Sequence, residues 1–306
     1  MHIFLTGATG LLGSAFARAA KRRGHRVTGV IHRTPLPEDV PLDRALTGDL
    51  TDESWVLQTV LDLFPEAIVN AAAISQPADC ESNPELSQSL NVALPTQLAQ
   101  LAHHFSAKLM HVSTDMVFDG ERGDYSPVDE PAPTCLYGWQ KLEAEKSVIQ
   151  RAPDFATVLR LPLLSGNSLT GVRSLHERLF AAWARGEKPR LYREEMRQPC
   201  LADNAADVMV ELCERNDFAG IRHWAGAESL SRWEIGQKIL KHFNLPEDLI
   251  EPVSRRDDPA AQKRPADLTL DINSLKAKLK TRPQSFEDQL DPLIIPHAAR
   301  EWYHSL

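Results

Sequence analysis

Residues 6–13 read Thr6-Gly7-Ala8-Thr9-Gly10-Leu11-Leu12-Gly13. They follow the apolar run His2–Thr6, which reads as a buried strand, and open Gly13–Arg23, which reads as a helix with apolar positions at Ala15, Phe16, Ala19 and Ala20. Glycines spaced three apart between a strand and a helix have a mechanical reading. Gly7 permits the tight turn, Gly10 lets backbone approach a pyrophosphate, and Gly13 lets the helix pack on the strand. The first helical turn then offers free N–H groups and the positive end of its dipole to phosphates. On this reading Gly7, Thr9, Gly10, Leu11, Leu12 and Gly13 cradle a dinucleotide.

Outward from the loop, short apolar runs alternate with amphipathic segments. Arg26–Ile31, Ala67–Ala73, Lys108–Thr114 and Ala156–Leu161 read as strands. Glu53–Phe64, Asn83–His104 and Tyr137–Gln150 read as helices, the second carrying leucines at 86, 90, 94, 98 and 101. Parallel strands need crossovers, so the alternation predicts a Rossmann-type, doubly wound α/β parallel sheet with helices on both faces. The second half changes texture. Arg173–Arg185, Asn204–Glu214 and Ser231–Phe243 read as helices, Ser231 capping the last with Glu234 three residues on and Asp203 read as another cap. Gly220–Trp224 reads as a strand, Asp271–Lys280 as a short helix, and Trp302-Tyr303 as an anchor for the tail. The expected division is a dinucleotide-binding domain over 1–164, rejoined by 203–225, and a smaller α/β substrate-binding region over 165–202 and 226–306.

With 306 residues the chain has room for about two domains. Its 34 basic and 42 acidic residues leave a net charge of −8, which argues against a nucleic acid or an anionic membrane as partner. No apolar run approaches the ~20 residues of a membrane span. Cys80, Cys135, Cys200 and Cys213 are too widely spaced for a zinc knuckle or a redox dithiol, and no cluster suggests a metal. A reduced, cytoplasmic protein is expected.

The end of the second strand reads Val30-Ile31-His32-Arg33. It offers no carboxylate for the adenosine ribose of NAD, whereas the Arg33 guanidinium suits a 2′-phosphate. NADP(H) is therefore favoured over NAD(H), with His32 and Arg33 at the ribose. Gly48-Asp49-Leu50 is placed to cover the adenine, Asp49 accepting from its amino group. The small residues of Asn70-Ala71-Ala72-Ala73 let a cofactor lie flat on the sheet edge.

Tyr137-Gly138-Trp139-Gln140-Lys141 opens a predicted helix. Positions i and i+4 are neighbours, and an ammonium beside a phenol is expected to lower its pKa for proton exchange with a carbonyl or alcohol. Upstream, Val112-Ser113-Thr114-Asp115 ends a strand. Adjacent strand residues point oppositely, so one of Ser113 and Thr114 faces the site, where its hydroxyl can orient a carbonyl.

The set resembles an extended short-chain dehydrogenase/reductase. More narrowly, Val112–Gly120 with Tyr125, Glu130, Pro131 and Tyr137-Gly138 resembles the dTDP-4-dehydrorhamnose reductase-like, sugar-nucleotide-binding family, over essentially the whole chain and most strongly over 1–165. The resemblance implies NADP(H)-dependent reduction of a keto group on a nucleotide-linked deoxysugar. It gives Thr114 as catalytic hydroxyl, Tyr137 as acid/base and Lys141 as its partner, with Ser113, Tyr137 and Lys141 beside the cofactor. Two positions depart from the family pattern. Met116 replaces the usual aromatic, and Arg160-Leu161-Pro162-Leu163 stands where rhamnose-forming reductases carry Arg-Thr-Ser-Trp. Two other readings stay open: an NADP-binding regulatory subunit similar to the methionine adenosyltransferase β subunit, and a sugar-nucleotide epimerase or dehydratase. For the latter, Asp115-Met116 supplies one acid where dehydratases use a carboxylate pair. Arg173, His176, Arg197 and Arg264 are the cationic candidates for a nucleotide-sugar diphosphate. The leucine stripe with the Tyr137 helix is a candidate homodimer surface, as in many relatives.

Overall fold

A seven-stranded parallel sheet runs through the computed structural model, which describes residues 1–32, 34–37, 39–258 and 264–306. The chain lays down β1 (His2–Thr6), α1 (Leu11–Arg22), β2 (Arg26–Ile31), β3 (Arg44–Thr47), α2 (Glu53–Leu63) and β4 (Ala67–Asn70). There follow α3 (Pro77–Ser82), α4 (Pro84–Gln88), α5 (Leu94–Phe105), β5 (Lys108–Thr114), α6 (Leu136–Arg151) and β6 (Ala156–Leu161). Next come β7 (Leu164–Ser165), α7 (Leu175–Ala184), β8 (Arg190–Tyr192), β9 (Met196–Arg197), β10 (Cys200–Leu201), α8 (Ala202–Cys213) and β11 (Gly220–His223). The chain closes with β12 (Leu230–Ser231), α9 (Arg232–His242), β13 (Glu251–Val253), α10 (Asn273–Lys276), α11 (Phe286–Leu290) and α12 (Arg300–His304).

Strand order is β11-β6-β5-β4-β1-β2-β3. From β1 the chain winds outward to β3 and then crosses back to β4. The winding reverses between β1 and β4, which opens a crevice at the carboxyl ends of these strands. One apolar layer joins Ile3, Leu5 and Phe16 to Val208 and Met209 of α8, so α1 and α8 share a face of the sheet. The opposite face packs Phe4, Val56, Leu98, Leu109 and Val148 under α2, α5 and α6. A separate core gathers Phe180, Trp183, Ile239, Phe243 and Leu290. Trp302 stacks on Trp183 at 6.0 Å, and the Tyr303 hydroxyl donates to the Phe243 carbonyl over 2.9 Å, so the tail is anchored as expected.

Several boundaries move for identifiable reasons. The run Ala67–Ala73 stops pairing at Asn70, because its partner β1 ends at Thr6 and Gly7 turns away. The expected helix Asn83–His104 is broken by a π turn at Ser89–Ala93. Pro95 has no N–H to give the Asn91 carbonyl, so the ladder slips by one residue. The edge strand β3 carries no apolar pattern and was not expected. Helix α8 starts at Ala202 with Leu201 as its N-cap, so Asp203 sits in the first turn instead of capping, 3.8 Å from Arg18. Ser231 and Glu234 do form the reciprocal cap of α9. All four cysteines are free thiols. Among the described residues no helix is long and apolar enough to cross a membrane.

Candidate active site

The carboxyl ends of β1, β4 and β5 lie side by side. Gly7 has φ +70°, and a Cβ there would stand 2.8 Å from the Ala71 carbonyl carbon. A Cβ on Gly13 would stand 2.0 Å from the Gly7 carbonyl oxygen. These two glycines therefore let β1, the loop and α1 close on one another. Gly10 is exposed, and no side chain caps the first-turn amides of α1. Such a helix start fits a pyrophosphate. Thr9 and Leu11 are half-buried, whereas Leu12 turns into the core.

Ala71 and Ala72 are half-buried and Ala73 is exposed on the same edge. His32 is exposed at the end of β2, and Arg33 lies outside the described residues. Asp49 is exposed and accepts from the Thr51 amide (2.9 Å) and hydroxyl (2.7 Å), with Leu50 half-buried beside it. Asn70 corrects an expectation. The residue is 1% exposed and its side chain is engaged with Thr6 and His111, so it lies beneath the crevice and does not line it. Ser113 is a second correction. Its hydroxyl donates inward to Glu145, which leaves Thr114 as the hydroxyl facing the crevice.

Tyr137, Lys141 and Glu145 recur every four residues along α6 and all are buried. Thr114 Oγ1 donates to Asp115 Oδ1 over 3.0 Å and accepts from the Met116 amide over 3.2 Å, and its hydroxyl acts on the neighbouring Tyr137 phenol. Burial, and then the Asp115 carboxylate, push the Tyr137 phenol above its ordinary range. This reverses the expected lowering. The reason is geometric: Lys141 Nζ lies 3.1 Å from His111 Nε2 and is engaged there, away from the phenol. Burial lowers Lys141 itself to about 8, against the pull of Glu145. Asp115 is raised to about 6 by burial, opposed chiefly by Arg197.

A guanidinium cluster completes the site. Around the fully buried Glu195, Oε2 receives Arg232 Nε and Arg264 NH2 at 3.0 Å each, with Arg197 NH2 at 3.7 Å. Arg197 also donates to the carbonyls of Met196, Pro265 and Ala266. Burial, and then Arg232, lower Arg197 to about 10. Arg232 acts on Arg178 as well. Both Arg197 and Arg232 act on Asp115, the carboxylate that also acts on Tyr137, so the cluster lies on the Asp115 side of the site. Guanidinium groups outnumber carboxylates here, a balance that suits an anion.

One expected cation falls away. His176 is 2% exposed, with Nδ1 2.8 Å from Ser174 Oγ, Nε2 3.3 Å from the Ile294 carbonyl, and its ring stacked on Phe243. It belongs to the C-terminal core. Arg173 is exposed, and its guanidinium has no hydrogen bond among the described residues. Leu94, Leu98 and Leu101 are core, while Leu86 is 40% exposed. No group of potential metal ligands occurs among the described residues. Sequence reasoning missed His111, Glu145, Arg178, Glu195 and Arg232. Two of these carried a signal, since His111 shares a strand face with Ser113 and Glu145 a helix face with Lys141.

The profile of the RmlD substrate binding domain family matches residues 1–298. Over 298 residues the chain is 32% identical to the probable low-salt glycan biosynthesis reductase Agl14 of Haloferax volcanii, covering 96% of this chain and 97% of that protein. Over 281 residues it is 33% identical to methionine adenosyltransferase 2 subunit beta of Xenopus laevis, covering 89% and 80%. A solved structure of a hypothetical dTDP-4-dehydrorhamnose reductase from Sulfolobus tokodaii superposes with a TM-score of 0.82 at 28% identity, over 96% of this chain and 100% of that one.

Proposed function

Because the chain belongs to the RmlD substrate-binding domain family, an extended short-chain dehydrogenase/reductase group with oxidoreductase character, we propose that it is an NADP(H)-dependent reductase of a keto group on a nucleotide-linked sugar. The observation that carries this reading is the meeting of Thr114, Asp115 and Tyr137 on the strand edge that also presents the uncapped start of α1, with guanidinium groups on the other side.

A bound nicotinamide dinucleotide supplies the hydride. The protein does the rest. The amides of Leu11, Leu12 and Gly13 hold the pyrophosphate, Arg33 the 2′-phosphate, and Asp49 the adenine amino group. Arg197, Arg232 and Arg264 hold the substrate's diphosphate. Thr114 orients the carbonyl oxygen, and Tyr137 donates its proton to that oxygen. A phenol kept protonated by burial and by Asp115 is in the form that donates during reduction. The Lys141 ammonium, one helical turn from the phenol and held by His111, favours the remaining phenolate through its charge and not by a hydrogen bond. On this assignment residues 1–164 with 203–225 hold the cofactor, and 165–202 with 226–306 take the substrate.

The test is NADPH oxidation against a panel of keto and non-keto nucleotide sugars, with product identification by mass spectrometry. Keto-dependent oxidation supports the reductase, and isomerised product without net oxidation supports an epimerase. A second reading, an NADP-binding regulatory subunit, is favoured by the 33% identity to methionine adenosyltransferase 2 subunit beta. Tight NADPH binding with no turnover on the whole panel, together with a complex with a methionine adenosyltransferase catalytic subunit, would establish it instead.

A further inference from the structure

Four buried polar side chains form a continuous row under the crevice. Thr6, Asn70 and His111 are lateral register partners across β1, β4 and β5, and none is more than 1% exposed. Thr6 Oγ1 lies 2.6 Å from Asn70 Oδ1, Asn70 Nδ2 3.2 Å from His111 Nδ1, and His111 Nε2 3.1 Å from Lys141 Nζ. At the far end the Ala72 amide donates to Thr6 Oγ1 over 3.3 Å, in the segment against which Gly7 closes. Apolar residues would fill these sheet positions at lower cost. The row ends on Lys141, whose charge the proposed chemistry uses.

Counting protons along the row leaves one arrangement when Lys141 is charged and opens a second when it is neutral and its lone pair can accept. A neutral imidazole has one donor and one acceptor, whereas an ammonium only donates. When Lys141 is charged, Nε2 accepts from it and the ring proton sits on Nδ1. Asn70 must then turn its carbonyl oxygen to His111 and its amide NH2 to Thr6. When Lys141 is neutral, Nε2–H donates to the amine and Nδ1 accepts from Asn70 Nδ2. The Asn70 carbonyl oxygen then accepts from the Thr6 hydroxyl. An imidazolium donates from both nitrogens and would face the ammonium. Burial and Lys141 hold the His111 ring well below the ordinary histidine range, so it stays neutral. The charged groups acting on Lys141 are few: Glu145 from its own helix, with Arg160 of β6 paired to Glu145 beyond, while the His111 ring that faces it from β5 is neutral.

We propose that His111 is a positioning residue for the hydride-transfer reaction: it fixes the Lys141 nitrogen and, by exchanging ring tautomers, passes the gain or loss of the lysine proton to Asn70 and Thr6. The proposal rests on the reductase reading through the role given to Lys141. It links the state of the catalytic lysine to the backbone at Ala72, beside the cofactor loop.

The test is nitrogen NMR of the full chain with ring-labelled histidine, without substrate, between roughly pH 6 and 10. The expected result is a neutral His111 ring that carries its proton on Nδ1 at low pH and on Nε2 at high pH. The change should follow the Lys141 titration and disappear in Lys141→Met. A ring with one tautomer throughout, or one that becomes imidazolium near the ordinary histidine pKa, overturns the proposal. Kinetics give an independent arm. His111→Leu removes an acceptor that favours the ammonium, so the alkaline limb of kcat should move to lower pH by about one unit, with KM for the sugar nucleotide unchanged. His111→Gln, which keeps an amide able to donate or accept, should restore the wild-type limb. An unmoved limb in a folded Leu variant refutes the role, and if that variant does not fold, the tautomer measurement decides. Tautomer exchange without turnover on any keto sugar would sink the reductase reading and leave the linkage standing. Turnover without tautomer exchange would sink the linkage alone.

Discussion

Replacing Glu145 by Gln tests whether a buried ion pair holds the catalytic helix in place. The Arg160 and Glu145 side chains are each 1% exposed. The guanidinium grips both carboxylate oxygens, Nε to Oε1 at 2.9 Å and NH2 to Oε2 at 2.6 Å. Ser113 donates to the same Oε1, and His223 Nε2 lies 3.3 Å from Arg160 NH1. Gln keeps the shape of the side chain but leaves Arg160 charged and buried without a counter-charge. Removing one partner of such a pair costs roughly 3–5 kcal/mol. With about 2.1 cal/mol/K of unfolding entropy per residue, the 306-residue chain should lose roughly 5–8 °C of melting temperature. Calorimetry measures this directly. Glu145→Gln with Arg160→Met should recover most of the loss, because a buried pair replaced by apolar groups is often neutral. Glu145 also opposes the lowering of Lys141, so the single variant should titrate that lysine at lower pH. A single variant costing no more than an ordinary hydrogen bond, about 1 kcal/mol, would refute the reasoning. So would a double variant no more stable than the single.

Four further outcomes are expected. Tyr137→Phe should lose roughly 10²–10⁴-fold in kcat with NADPH affinity kept, read by steady-state kinetics and fluorescence titration. Lys141 titrates near 8 when folded against its ordinary 10.5. The unfolded chain binds that proton more tightly, so the burial cost is fully present below pH 8 and is relieved as pH rises toward 10.5. Stability in urea should therefore climb by up to about 3 kcal/mol across that window, and Lys141→Met should flatten the climb. Arg232→Ala should raise KM for a nucleotide sugar while leaving NADPH binding unchanged, and equal loss for both would remove the diphosphate assignment. Arg33→Ala should weaken NADPH binding with NADH little affected, measured by paired titrations.

Strands β1, β2, β5 and β6 were legible to the residue, because each is an apolar run with loop or turn residues at its ends. The glycine loop was legible for the same local reason. Ala67–Ala73 was read too long because alanine satisfies strand and loop alike, and only the length of β1 decides where pairing stops. The site divides in the same way. Tyr137 and Lys141 follow from helical spacing, and strand alternation narrows the hydroxyl to Ser113 or Thr114, between which the family resemblance chose Thr114. Glu195 and Arg232 follow from neither, since they join the expected Arg197 only when Leu230 pairs with Arg197 and Ser231 with Met196 across β9 and β12. The direction of the Tyr137 shift was misread for a related reason. Helical spacing brings Lys141 near the phenol, but the partner that engages its nitrogen comes from β5.

That partner explains why the underside of α6 is polar at all. The helix begins at Cys135 without a side-chain cap, and Trp139 in its first turn is exposed, so its start is weakly held by local means. His111 and Ser113 share one face of β5, and Lys141 and Glu145 share one face of α6. Two polar contacts therefore form across a single interface, one to the Thr6–Asn70 row and one to the Arg160–His223 row. Hydrocarbon at these positions would match or exceed the stability of buried charges. What hydrocarbon lacks is direction. A hydrogen-bonded pair fixes both the rotation of the helix and its slide along the strand, and the phenol oxygen of Tyr137 must meet the Thr114 hydroxyl within a few tenths of an ångström. The cost of burying Lys141 and Glu145 is thus best understood as the cost of aiming Tyr137.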